Sequence, residues 1–352
     1  MKKVKRKTLP KDFKDLLSKA NLETLKAVFD TCDVNARGGY SKVTALMFSE
    51  CPEGLARWLV SQGADLAAID SYDHTALHQH ARYRGGCPQV LIELGAEVNA
   101  GNGGYSGTPL HSAVDGKNMA GVDALLTHGA DANAKNRDGQ TPLEYGLQRA
   151  SNIDLERMAP IARKMLEAGA IKSETTRRFV KQLGENFEFS RADFNKDYLE
   201  PTTRALAVLY ELFDVAPVPQ RRTHDGKSRI EVESKDWQDQ HEELWKLLVP
   251  GKGAAVTVQG EVIRITGRIS NEILGNGGVN WDSGYKMMAK ALREHLRSGT
   301  PLPDDQLREC EDIADTVRNR SEDDVARLAK FAVAWVLLNP IPVKLPKPPY
   351  DR

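Results

Sequence analysis

The residues best suited to chemistry in this 352-residue chain stop short of the patterns that chemistry requires. His241-Glu242-Glu243-Leu244-Trp245 nearly spells H-E-x-x-H, the helical spacing that sets two imidazoles one turn apart around zinc. Trp245 occupies the place of the second imidazole, so the zinc reading fails. Gly251-Lys252-Gly253 follows an apolar run but lacks the G-x-x-x-x-G-K-[ST] loop whose backbone wraps phosphates. His74, His78 and His80 crowd together, yet their offsets straddle a turn and a helix, which is a poor ligand set. Glu231, Glu233 and Asp236 precede His241, and these four residues are the one constellation that resembles an acid–base site. Three acids in a polar loop before a helix more commonly form a solvated run with a cap. No cofactor and no metal are therefore expected, and catalysis survives only as an alternative placed in the second half of the chain.

Two recurring phrases define the elements that must position any functional residue in the first half. Thr44-Ala45-Leu46, Thr75-Ala76-Leu77, Thr108-Pro109-Leu110 and Thr141-Pro142-Leu143 follow one another at offsets of 31, 33 and 33 residues. Interleaved with them are Gly63-Ala64-Asp65, Gly95-Ala96-Glu97, Gly129-Ala130-Asp131 and a worn Gly169-Ala170-Ile171. Threonine accepts the backbone N–H bonds left open in a first helical turn, and Pro109 and Pro142 suit the first helical position, so each Thr begins a helix. Each glycine follows an apolar run and enters the left-handed conformation cheaply, so it ends a helix. Asp131 to Gly139 then alternates polar and small residues up to a turn and reads as a projecting hairpin finger. Gly38-Gly39 and Asn102-Gly103-Gly104 mark the same place in earlier repeats.

A period near 33 residues with T-P-L-H at one end and G-A-D at the other resembles the ankyrin repeat, a β-turn followed by two antiparallel helices. The resemblance covers about residues 8–171. Residues 1–37 form an N-terminal tail and a degenerate capping repeat, in which Cys32-Asp33-Val34-Asn35-Ala36 replaces Gly-Ala-Asp-Val-Asn-Ala. The repeats proper are 38–69, 70–101, 102–135 and 136–171. Three or more such units bury a continuous apolar spine. The resemblance implies a protein-recognition scaffold without enzymatic activity of its own. It also implies that His78 and His111, fourth in T-P-L-H, bond the backbone of adjacent fingers, with Met47 and Glu144 in their place in the outer repeats.

The expected fold class is all-α: an ankyrin-repeat solenoid followed by a separate helical domain over 172–339, with a Pro-rich tail over 340–352. Apolar residues recur at helical spacing in Glu174–Leu183, Thr202–Phe213, Asp236–Leu248, Ala254–Leu274, Ser283–Leu296, Gln306–Arg318 and Asp323–Leu338. Val256–Thr266 is also rich in β-branched residues around Gly260, so a β-hairpin competes with helix there. Val215–Glu233 reads as a long loop. Pro340 to Pro349 must be extended, either packed on its own domain or free to dock on another protein.

Composition narrows the class of partner. Formal net charge is zero, which argues against nucleic-acid binding, and no run of about 18 apolar residues suggests a membrane span. The five Lys/Arg residues of Met1–Pro10 lack an apolar stretch behind them, so no leader is expected. Cys32, Cys51, Cys87 and Cys310 lack C-x-x-C spacing and read as reduced, buried thiols of a cytoplasmic protein. Residues 38–171 carry 15 Asp/Glu against 11 Lys/Arg, which favours a basic or mixed protein partner.

The candidate contact residues follow from the repeat register. Tyr40, Tyr72 and Tyr105 precede the Thr of their repeats by four, three and three residues and should form a ladder near the fingertips. Tyrosine gives large contact area at low entropy cost; its alternative use is packing on the neighbouring finger. His74, Asn102 and Arg137 lie beside them. Phe48, Gln79, Arg82, Tyr83, Asp115, Tyr145 and Arg149 occupy inner-helix positions that the motif leaves variable. The expected function is a non-enzymatic module that captures a partner protein on the concave face. By analogy of layout it would be a bacterial inhibitor, toxin-neutralising immunity protein or effector.

Overall fold

The computed structural model describes residues 4–101, 107–316 and 321–351. Its chain divides into two compact units: residues 1–186 with 196–218, and residues 187–195 with 219–352.

The first unit opens on β1 (Arg6–Thr8), α1 (Phe13–Lys19), α2 (Leu22–Thr31), β2 (Cys32–Gly38) and β3 (Val43–Thr44). The central β2 pairs parallel with β1 and antiparallel with β3. This small sheet is an addition to the expected all-helical plan and carries the capping repeat. Phe13, at the start of α1, packs edge-on to Phe29 and Phe48 with ring centroids 6.0 and 5.6 Å away.

Each repeat then supplies an inner and an outer helix. A 3-10 turn, Ala45–Met47, is followed by α3 (Glu53–Ser61); after it come α4 (Ala76–Arg82) with α5 (Pro88–Glu93), α6 (Pro109–Asp115) with α7 (Met119–Thr127), and α8 (Pro142–Gln148) with α9 (Leu155–Glu167). The first Thr thus starts only a short turn, which ends at Met47. In the other repeats the backbone N–H of Thr75, Thr108 and Thr141 donates to His78 Nδ1 (3.1 Å), His111 Nδ1 (3.1 Å) and Glu144 Oε2 (2.9 Å). Because Nδ1 accepts, Nε2 carries the proton and donates onward to the next finger: His78 to Gly107 O at 2.9 Å, and His111 to Gln140 O at 3.0 Å. These histidines are structural staples.

Gly63, Gly95, Gly129 and Gly169 end the outer helices at φ between 82° and 98°, where a Cβ would be strained. An asparagine from the preceding repeat reads three of these caps. Asn35 Nδ2 donates to Gly63 O (3.1 Å) while its Oδ1 accepts from Asp65 N (2.8 Å). Asn99 does the same for Gly129 and Asp131, and Asn133 for Gly169 and Ile171. Ala67 stands at this position in the first Gly-Ala-Asp phrase, Gly63-Ala64-Asp65.

The first unit continues beyond the point where the repeat phrases stop. α10 (Glu174–Ser190) and α11 (Lys196–Phe213) follow α9. Within the unit α11 packs against α9, and Gly184 of α10 approaches Tyr210 of α11 so closely that an added Cβ would lie 1.9 Å from the phenol oxygen. The last turn of α10 is counted with the second unit.

The second unit contains α12 (Trp237–Leu248), α13 (Val258–Ser270), α14 (Ser283–Leu296), α15 (Asp304–Thr316) and α16 (Glu322–Leu338). The expected continuation of α15 to Arg318 lies outside the described residues. Helix prevails over hairpin in Val256–Thr266: the Thr257 hydroxyl caps the first turn by accepting from Gly260 N at 3.1 Å. α13 is buried along nearly its whole length, so polar residues as well as its apolar stripe lie in the core. Its polar residues are paired: Glu261 holds Arg264 through two bonds of 2.8 and 2.6 Å and accepts from Ala255 N. A π-helical turn, Asn271–Gly275, ends the helix. The Pro-rich tail packs on this same unit. Gln259 donates to Asn339 O and Ile341 O and accepts from Val343 N, Val258 N donates to Val343 O, and Tyr350 is buried with its hydroxyl 2.8 Å from Glu261. No helix among the described residues is long and apolar enough to cross a membrane.

Candidate functional site

The finger tips and inner helices of the first unit bring most of the expected contact residues to its surface. Tyr40 is 92% exposed and Tyr72 55%, and their turns are joined by a bond from Ser71 N to Ser41 O at 2.9 Å. Below Tyr72, Asp70 is buried and organises the turn, accepting from the backbone N–H of Tyr72 and His74 and from Gln79 Nε2 at 2.8, 2.9 and 3.0 Å. His74 is half-buried 3.4 Å from that carboxylate, with its ring 6.3 Å from Tyr72. Arg137 is exposed on a later finger. Tyr105 and Asn102 lie outside the described residues.

On the inner helices one constellation crosses three successive repeats. Asp115, at the end of α6, is buried and ion-paired with both Arg82 from the end of α4 and Arg149 Nε, the latter at 2.8 Å. Arg149 lies over the Tyr145 ring, 5.1 Å from its centroid, and Tyr145 meets His111 edge-on. Tyr83 is exposed next to Arg82. Two expected contact residues serve packing instead. Phe48 is half-buried against Phe13, and Asp115 is enclosed by its arginines, so neither offers an open side chain.

The family of ankyrin repeats in many copies matches residues 91–145 of the chain, the stretch that holds the α6 staple and the start of α8. The chain carries ankyrin repeats. It is 33% identical over 104 residues to an ankyrin repeat protein of Fowlpox virus, covering 29% of this chain and 30% of the viral protein. It is also 33% identical over 99 residues to ankyrin repeat and SOCS box protein 11 of Danio rerio, covering 25% and 33%. A 2-5A-dependent ribonuclease of Mus musculus shares 43% identity over 54 residues, which is 15% of this chain and 7% of the enzyme. The chain thus spans a third or less of the length of these relatives.

Inside the ankyrin array, the sequence reading passed over the residues that fix the inner helices. Asn118 is buried and donates from Nδ2 to Ala81 O (2.8 Å) and Tyr83 O (3.1 Å), tying the end of α4 to the next repeat. Gly116 sits against the Arg82 carbonyl, where a Cβ would lie 2.1 Å from the oxygen. The signal for the ion ladder was present, since Arg82, Asp115 and Arg149 are spaced at the repeat period. His78 and His80 do not converge on a metal: His80 Nε2 bonds Leu46 O at 3.0 Å while His78 serves Gly107. Burial pushes the His78 imidazole down to about 4 and lowers His80 and His111 as well.

The catalytic alternative finds little geometry in the second unit. Glu231, Glu233 and Asp236 are exposed, and the Asp236 carboxylate caps α12 by accepting from Asp239 N at 3.2 Å. His241 faces the Thr266 hydroxyl at 3.3 Å and stacks on Trp245, with burial lowering its pKa. It lines an open groove of about 710 Å³ with Trp237, Trp245, Asn271 and Leu274, to which those three carboxylates do not contribute. Cys32, Cys51 and Cys310 are buried free thiols and Cys87 is half-buried.

Proposed function

We propose that the ankyrin array is a non-enzymatic module that captures another protein along its fingertips and inner helices. The observation that carries this reading is the pair Tyr40 and Tyr72: two large aromatic side chains held open to solvent on fingertips that are hydrogen-bonded to each other. Rings held open in this way can serve an interface as rigid anchors. Gln79, Arg82, Tyr83, Tyr145 and Arg149 supply the polar flank, and Arg137 the far finger. The second unit would add a further surface or self-associate, and the setting would be the cytoplasm, in an inhibitory, toxin-neutralising or effector role in a bacterium. Nucleic acid and membrane are not its targets on this reading.

The test is affinity capture from the native cell with mass spectrometry, comparing the wild-type chain with the Tyr40→Ala, Tyr72→Ala double variant. Loss of one specific protein from the variant, with melting temperature unchanged, is the expected result. Equal capture by both chains would remove the fingertips from the interface.

A further inference from the structure

We infer that the inner-helix surface takes a carboxylate-bearing peptide segment of the partner, gripped between Arg82 and Arg149. This rests on the array being a protein-binding surface and adds the chemistry of what it binds. The charge balance at Asp115 is the starting point. Its side chain is 4% exposed and each carboxylate oxygen serves one arginine, so a single negative charge faces two guanidinium groups. One positive charge is left over at a place where water is already partly excluded. Both arginines stay accessible, Arg149 at 52% and Arg82 at 37% of the side chain. Each guanidinium has five N–H donors in a rigid fork, more than Asp115 can accept, and such forks match carboxylates in two-point fashion.

The neighbourhood strengthens the bias. Arg84 is exposed two residues beyond α4, while Glu50, near the end of the first inner turn, is taken up by Lys14 at 3.3 Å. Asp154 is shared with Lys117 at 4.0 Å. The acidic surplus of the array lies elsewhere, on the outer helices and caps: Glu53 and Glu93 pair with Arg57, and Asp65 and Asp131 follow the capping glycines. The whole-array charge therefore does not describe the patch around Arg82, Arg84 and Arg149, which is locally cationic. Tyr145 lies beneath the Arg149 guanidinium, and Tyr83 is exposed beside Arg82, where it would offer apolar contact. One pair of guanidinium groups is scaled to one or two carboxylates. A nucleic-acid strand, with a phosphate at every nucleotide, would call for a longer row of cations.

The experiment titrates the isotope-labelled full chain at low salt with a short capped peptide of alternating Glu and Gly, and with its Gln and Lys counterparts and a single-stranded oligothymidine. The Glu peptide should bind alone, shift the Arg82 and Arg149 side-chain resonances, and weaken steeply with added salt. Arg82→Gln with Arg149→Gln should weaken it by roughly tenfold or more, and Arg149→Lys by less, because charge persists without the fork. Shift mapping on the wild-type chain decides the matter should the double variant fold poorly. No binding of the Glu peptide, equal binding of the Gln or Lys peptide, preference for the oligonucleotide, or shifts confined elsewhere would each overturn the inference. If the Glu peptide fails while the tyrosine variant still loses its partner, only this inference falls; if both fail, the protein-capture reading falls with it.

Discussion

At the scale of single residues, side chains that look chemical turn out to be committed to the backbone. His78, His80 and His111 are neutral staples whose pKa values lie below the free imidazole value of 6.5 because burial disfavours the cation. The unfolded chain therefore binds more protons than the folded one between pH 6.5 and about 4. His78's contribution to stability is complete above the upper limit and is lost as pH falls through that window, and His80 and His111 act in the same direction. Calorimetry of the chain should show the melting temperature of the repeat unit dropping between those limits, ahead of carboxylate protonation; a flat profile there would mean the histidines are not buried as described. The asparagine ladder makes a second prediction. Ala67 leaves Gly95 without the bridge that Asn35, Asn99 and Asn133 provide, so Ala67→Asn should stabilise the array by about 0.5–1 kcal/mol in urea unfolding.

At the scale of elements, the central helix α13 and the Pro-rich tail act as one. Truncation before Pro340 strips Gln259 of its partners Ile341 O and Val343 N and exposes the Glu261–Arg264 pair, formerly covered by Tyr350. A cost of about 2–4 kcal/mol is expected from these buried groups. Tryptophan fluorescence reads it directly, since Trp237, Trp245, Trp281 and Trp335 all belong to the second unit. An unchanged urea midpoint would show the tail to be loosely apposed. The repeat helices were legible beforehand because Thr and Gly act on the backbone at their own positions. The tail's docking was not, because Gln259 and Val343 meet across 84 residues and no local pattern announces it. The helix over Val256–Thr266 was ambiguous for a different reason: its β-branched residues mimic a strand, and burial along nearly its whole length leaves no solvent-facing side to reveal the helical period. The ion ladder lay between these cases, visible as a period in Arg82, Asp115 and Arg149 but not recognisable as a contact until the inner helices were set side by side.

At the scale of the molecule, an ankyrin array of capped repeats presents open tyrosines and a locally cationic inner surface, and the central claim is that this surface captures a protein. Hydrogen exchange on the captured complex tests it most directly. The account predicts slowed exchange at the fingertips around residues 39–42 and 70–74 and at the inner-helix ends around 79–84 and 145–149. Protection confined to the outer helices α3, α5 and α7, or to the second unit, would contradict it.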